Sequence, residues 1–139
     1  MFKIENFKPE EFKCKCGTCG MFMIQSELVV RLELLRHIWG RPIYITSGLR
    51  CTTHNQRVGG AKNSRHLVGC AADLSVTGSG DVVEGARFKS LARQMFPASS
   101  GCEYKDGARY VHVAVARGRP SLVWNGGDII AYDITSGVM

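Results

Sequence analysis

The sequence predicts an α+β domain in which helices pack on a mainly antiparallel sheet. Two segments carry apolar residues at helical spacing, several short β-rich runs lie between turn signals, and two tight hairpin signals stand in the C-terminal third.

Residues 27–39, "ELVVRLELLRHIW", are the first clear element: Leu28, Leu32, Leu35 and Trp39 recur at helical spacing, Ser26 is placed to cap the start, and Gly40 followed by Pro42 ends it. His37 on that helix reads as a solvated or half-buried residue. "PIYITS", 42–47, is a short β-rich run. Next comes "GLRCTTHNQRVGGAKNS", 48–64, a 17-residue polar stretch with three glycines and little periodicity, longer than most loops in a compact domain. Free of low-complexity bias and set between two strand-like segments, it is expected to be a functional loop.

"GCAADLSV", 69–76, reads as a buried strand, and "VVEGARFKSLARQM", 82–95, as a second helix with Pro97 beyond its end. "GCEYK" and "ARYVHVAVA" are two strand runs joined by Asp106-Gly107 as a two-residue hairpin turn. "SLVWNGGDIIAYDI" is expected to form one more hairpin around Asn125, Gly126 and Gly127.

At 139 residues, 45% of them hydrophobic and 22% charged, the chain is expected to form one globular domain over 1–139, with one principal site. No segment approaches the roughly 18 uninterrupted apolar residues of a membrane span, and the N-terminus lacks an apolar signal region. The expectation is a protein without signal peptide or membrane insertion, cytoplasmic in the producing cell and monomeric. Eighteen Lys+Arg against twelve Asp+Glu give +6, which suits a polyanionic partner such as nucleic acid, an anionic membrane face or an acidic wall polymer. The basic residues are scattered without aromatic interleaving, so nucleic acid is not the expected partner.

Six cysteines are present: Cys14, Cys16 and Cys19 in "CKCGTC", then Cys51, Cys70 and Cys102. Without a signal peptide, disulfides are the less expected use. A tetrahedral structural zinc needs four ligands and the run supplies three, which Cys51 or Cys102 could complete. Reduced, unligated thiols in a loop are the simpler expectation.

Alternation places Ala71, Asp73 and Ser75 on one face of the strand from Gly69, and Tyr110, His112, Ala114 and Ala116 on one face of the later strand, opposite Val111, Val113 and Val115. If the two strands are adjacent and the loop before Gly69 folds over them, His66, Asp73 and His112 converge. Two imidazoles and one carboxylate suit Zn²⁺ with a fourth position left open, the arrangement of catalytic rather than closed structural sites. Hydrolysis is the natural chemistry of such a site.

"SRHLVGCAAD", 64–73, matches the pattern SxHxxGxAxD and so resembles the zinc signature of the M15 group of D-alanyl-D-alanine carboxypeptidases and endolysins. "ITSGLR" is similar to that family's SGxR element, "HNQRVGGAKNSRH" to its loop segment, and "RYVHVAV" to the strand bearing the last zinc histidine; the likeness runs over about residues 6–116. The small single-domain form, often encoded by phages and prophages, is the most similar variant.

The resemblance implies a hedgehog/DD-peptidase-like fold, zinc on His66, Asp73 and His112, and a peptidase acting on bacterial peptidoglycan after release from the producing cell. It implies that Arg50 holds a substrate carboxylate or the oxyanion formed on attack, and that Ser64 hydrogen-bonds ligand or loop backbone. Gly59, Gly60, Gly69 and Ala71 match the family's small residues, while His54 matches a loop residue expected to make a structural hydrogen bond.

The chain departs from the family at its proton carrier. Relatives place an acid three residues before the last zinc histidine or two after it, and those positions here are Arg109 and Ala114. With Asp106-Gly107 as the turn, Glu103 pairs with Tyr110 and stands one diagonal step from His112, within reach of a long side chain. Asp106, six residues before His112, matches the spacing of a glutamate in hedgehog zinc domains, although turn chemistry alone explains it. Glu103 is the favoured catalytic acid/base and Asp106 the second candidate. The rival expectation is a catalytically silent, zinc-containing wall-binding or structural module.

Overall fold

A computed structural model describes residues 3–20, 23–76, 82–107 and 109–117. The hairpin expected around Asn125 lies outside them.

Helix α1 spans Ser26–Trp39 and buries Leu28, Val29, Leu32, Leu35 and Trp39. Its start differs from expectation: Gln25, in an extended conformation, is the cap, and Ser26 is the first helical residue. The entry is set by backbone pairing, because the Gln25 N–H donates to Gly69 O at 3.0 Å. The other end follows the expected punctuation, with Gly40 at φ 78° and its N–H bonded to Arg36 O. Glu33, fully buried on α1, accepts from the backbone and side chain of Asn6 at 3.1 and 2.6 Å. Those bonds fasten the N-terminal segment to the helix, since a buried carboxylate must be satisfied.

Four strands follow: β1 (Tyr44–Ser47), β2 (Ala71–Ser75), β3 (Glu103–Asp106) and β4 (Val111–Ala114). They form one antiparallel sheet in the order β1-β2-β4-β3. Together with the helices this is an α+β fold. Strand β2 sits between two neighbours, which is why four of its five residues are buried.

The face carrying Ile45, Ala72, Leu74, Val111 and Val113 joins α1 and Phe88, Ala92 and Phe96 in one hydrophobic core. Helix α3 (Val82–Met95) packs against α1, with Phe88 set edge-on to Trp39 at 5.2 Å between ring centroids. Cys70 and Cys102 belong to this core.

Two further expectations are corrected. The polar stretch 48–64 is not all loop, because Thr52–Arg57 forms a short helix, α2, capped by the Cys51 sulfur accepting from His54 N at 3.4 Å. Six residues with only Asn55 buried leave no apolar period to read. The β3–β4 register also differs: Lys105 pairs with His112 and Glu103 with Ala114, rather than with Ala108 and Tyr110. The connection is a longer loop closed by Gly107 N donating to Tyr110 O at 2.8 Å. The slip is four residues (112 − 108), an even number, so every side chain keeps its face.

Candidate metal centre

The polar face of the sheet is where the loop chemistry arrives. Strands β2 and β4 are adjacent, and Asp73 lies directly across from His112 in their pairing. His66 comes from a one-turn 3-10 helix, Arg65–Val68, laid over β2. Ser64 caps that turn, its Oγ accepting from His66 N at 3.2 Å; of its two expected roles, it makes the loop-backbone bond. Gly69 ends it at φ 73°, where an added Cβ would lie 2.3 Å from Met23 O, so both conformation and space require glycine.

Three ligand atoms converge: His66 Nε2 and His112 Nδ1 each stand 3.2 Å from Asp73 Oδ1. The outer nitrogens are also engaged. His66 Nδ1 lies 2.7 Å from the Gly48 carbonyl oxygen, which can only accept, so that nitrogen carries the proton. His112 Nε2 lies 3.1 Å from Glu103 Oε1 and donates to it in the same way.

With the outer nitrogens of both rings engaged, the two imidazoles and Asp73 present three ligand atoms to one point. Lone pairs facing one another at this distance repel unless a cation lies between them. The donor set therefore fits a divalent ion, and its outer carbonyl and carboxylate are the partners that orient metal-binding histidines.

Burial opposes the charge on Asp73, but hydrogen bonds from His112 and His66 and the charges of those rings outweigh it and hold the carboxyl well below its usual range. Arg50 adds a guanidinium: Nη2 is 3.1 Å from Asp73 Oδ2, Nη1 donates to Asn55 Oδ1 at 3.2 Å and Nε to Ser47 Oγ at 3.1 Å. Ser47 lies opposite Asp73 after an irregularity in the β1–β2 pairing, which brings its hydroxyl under the arginine.

Glu103 reaches the expected face by the corrected register. Oε2 pairs with Arg65 Nε at 3.3 Å while Oε1 accepts from His112. Partial burial raises its pKa, but His112, Arg65 and Lys105 together bring it below the ordinary glutamate value. Asp106 is not brought to the site. Lys105 is the residue opposite His112, so alternation turns Asp106 to the other face, where it accepts from Tyr104 Oη at 2.6 Å. His54 donates from its backbone N to Cys51 Sγ, while its Nδ1 is buried without a partner among the described residues.

Asn55 and Arg65 were missed by sequence reasoning. Asn55, 3% exposed, holds Arg50 through Oδ1 and donates from Nδ2 to Ala61 O at 2.9 Å. Arg65 Nη1 donates to Gly101 O and Val115 O, bridging the loop to β3 and β4. Both stand inside the quoted motifs, beside His54 and His66, and that position was the available signal.

The fold and this donor set define a class, an α+β domain carrying a three-ligand site suited to one divalent cation on the sheet. A family model described as Peptidase M15 matches residues 5–114, and the chain belongs to that metallopeptidase family. The zinc D-Ala-D-Ala carboxypeptidase of Streptomyces albus G is 38% identical over 92 residues, covering 64% of this chain and 34% of that protein. This chain thus spans about a third of that relative's length.

Proposed function

We propose that the protein is a zinc peptidase that hydrolyses peptide bonds of the peptidoglycan stem or cross-link, as a D,D-carboxypeptidase or an endolysin-type endopeptidase of phage or prophage origin. The observation that carries this reading is the convergence of His66 Nε2, Asp73 Oδ1 and His112 Nδ1, with both rings oriented from outside. Zinc held by these atoms supplies Lewis acidity for polarising a peptide carbonyl and activating water.

The protein's own groups supply the rest. Arg50, fixed by Ser47, Asn55 and Asp73, directs its remaining N–H bonds at a substrate carboxylate or at the oxygen that gains charge on attack. Glu103 moves the proton. Relatives carry an acid at the position of Ala114, and Glu103 is the direct cross-strand partner of Ala114, which offers a carboxylate from the neighbouring strand on the same face. Its lowered pKa keeps it ionised and able to accept. The net charge of +6 favours approach to an anionic wall polymer.

The test is loss of turbidity and release of free amines from purified peptidoglycan, comparing the zinc-loaded protein with His66→Ala. Zinc-dependent cleavage that the substitution abolishes supports the peptidase. Zinc bound in the wild type and reduced by His66→Ala, with no wall substrate cut, supports the second reading, a zinc-containing wall-binding module. The residues favouring that reading are Arg109 and Ala114, neither of which can act as a carboxylate base.

A further inference from the structure

We propose that Cys14, Cys16, Cys19 and Cys51 hold a second, structural zinc ion, remote in sequence from the His66 set except at Cys51. Their four sulfur atoms all lie within 4.8 Å of one another. A tetrahedron with Zn–S bonds of about 2.3 Å has sulfurs about 3.8 Å apart, so closing the site needs only a small contraction. Among the described residues this is the second cluster of such donors, and its chemistry is distinct: four soft sulfurs and no open position, the composition of closed structural sites.

The backbone is already shaped for it. Gly17 and Gly20 have φ of 77° and 66° with open space around them, so they are needed for conformation. They flank Thr18 and Cys19 in a tight turn that brings Cys16 and Cys19 together. Amide N–H groups point at sulfur: Thr18 N and Cys19 N at Cys16 Sγ (3.4 and 3.3 Å), Cys51 N at Cys14 Sγ (3.3 Å), and His54 N at Cys51 Sγ (3.4 Å). Amide donors aimed at sulfur stabilise thiolates and offset the excess negative charge of four of them around one dication. Mutual proximity of all four sulfurs also differs from two separate disulfides, in which each sulfur approaches one partner at about 2.05 Å. None of these four forms a disulfide here.

The site would clip the N-terminal segment to the loop that builds the other centre. Leu49 N donates to Phe12 O at 2.9 Å, and a Cβ at Gly48 would lie 2.6 Å from that same oxygen, so residues 12–14 and 48–51 run in close contact. Gly48 orients His66 through its carbonyl, and Arg50 precedes Cys51. The cysteine zinc is thus a positioning device for both.

The experiment uses the full chain, purified under reducing conditions without chelator from zinc-supplemented cells, with metal per chain measured by elemental mass spectrometry. The expected result is two zinc ions in the wild type and in Cys102→Ser, and one in Cys16→Ser, Cys51→Ser and His66→Ala. Cobalt substitution of the wild type, which needs no variant to fold, should give a thiolate-to-cobalt charge-transfer band that persists in His66→Ala. A wild-type cobalt spectrum lacking that band overturns the proposal, as does iron in place of zinc or disulfides among these four residues. Failure of the His66 centre instead leaves one zinc that His66→Ala does not remove and Cys16→Ser does, so the two readings fail separately.

Discussion

The Nε2 of His112 donates to Oε1 of Glu103 across 3.1 Å, while Oε2 of the same carboxylate is held by Arg65. Glu103 is therefore both an orienting partner of a metal ligand and the proposed proton carrier, and the two roles separate experimentally. Lost orientation in Glu103→Gln lowers zinc affinity by about 10- to 100-fold, with activity restored at saturating zinc. Lost proton transfer leaves a deficit of about 10²- to 10⁴-fold in kcat at saturating zinc. The expected outcome is both: weaker binding in a zinc titration and a kcat that saturation does not restore. Full recovery of kcat would remove Glu103 from the chemistry.

The motif residues could be read from the sequence because each answers to a local rule. Alternation alone put Asp73 and His112 on one face, and the even register slip preserved Glu103 beside His112 even though its cross-strand partner changed from Tyr110 to Ala114. Spacing along the chain does not fix the face, and Asp106 stands on the side of the sheet away from His112. Arg65 and Asn55 were invisible for another reason: their bonds run to Gly101 O, Val115 O and Ala61 O, and a backbone carbonyl leaves no mark in the sequence. The Ser26 cap failed similarly, displaced by the pairing of Gln25 N with Gly69 O.

Gly59 and Gly60 are adjacent but matter differently. Gly59 has φ 74° and open space, so Gly59→Ala is strained by about 1–2 kcal/mol without touching the site. A Cβ at Gly60 would lie 2.0 Å from Asn55 Oδ1 and 2.9 Å from Arg50 Nη1. Displacing them costs roughly 1–3 kcal/mol and disturbs the guanidinium. Urea denaturation should show both variants destabilised, while kcat/KM per folded molecule falls only in Gly60→Ala. Equal activity in the two would detach Arg50 from function.

Asp106 has a structural consequence that alkaline titration can read. Partial burial and the hydrogen bond to Asp106 push the Tyr104 phenol up to about 12. Because the folded pKa is raised above the unfolded value near 10, the folded state keeps a proton that the unfolded chain loses. The associated stability is complete below about pH 10 and is lost as pH rises toward 12. Ultraviolet titration should show late ionisation of Tyr104, and Asp106→Asn should bring it earlier. An unchanged titration would separate Tyr104 from Asp106.

Arg50 and Asp73 form a largely buried ion pair, with side chains 13% and 10% exposed, on the edge of the donor set. Arg50→Met keeps much of the side-chain volume and leaves Asp73 facing the two imidazoles alone. Removing one partner of a buried pair costs about 3 kcal/mol or more. Zinc changes the balance, because a dication beside Asp73 replaces the missing guanidinium charge. The destabilisation by Arg50→Met, relative to wild type under the same condition, should therefore be larger in chelated protein than in zinc-saturated protein, as read from paired urea curves. Equal shifts in the two would mean that the arginine stabilises by packing, and that its charge serves the substrate rather than the carboxylate.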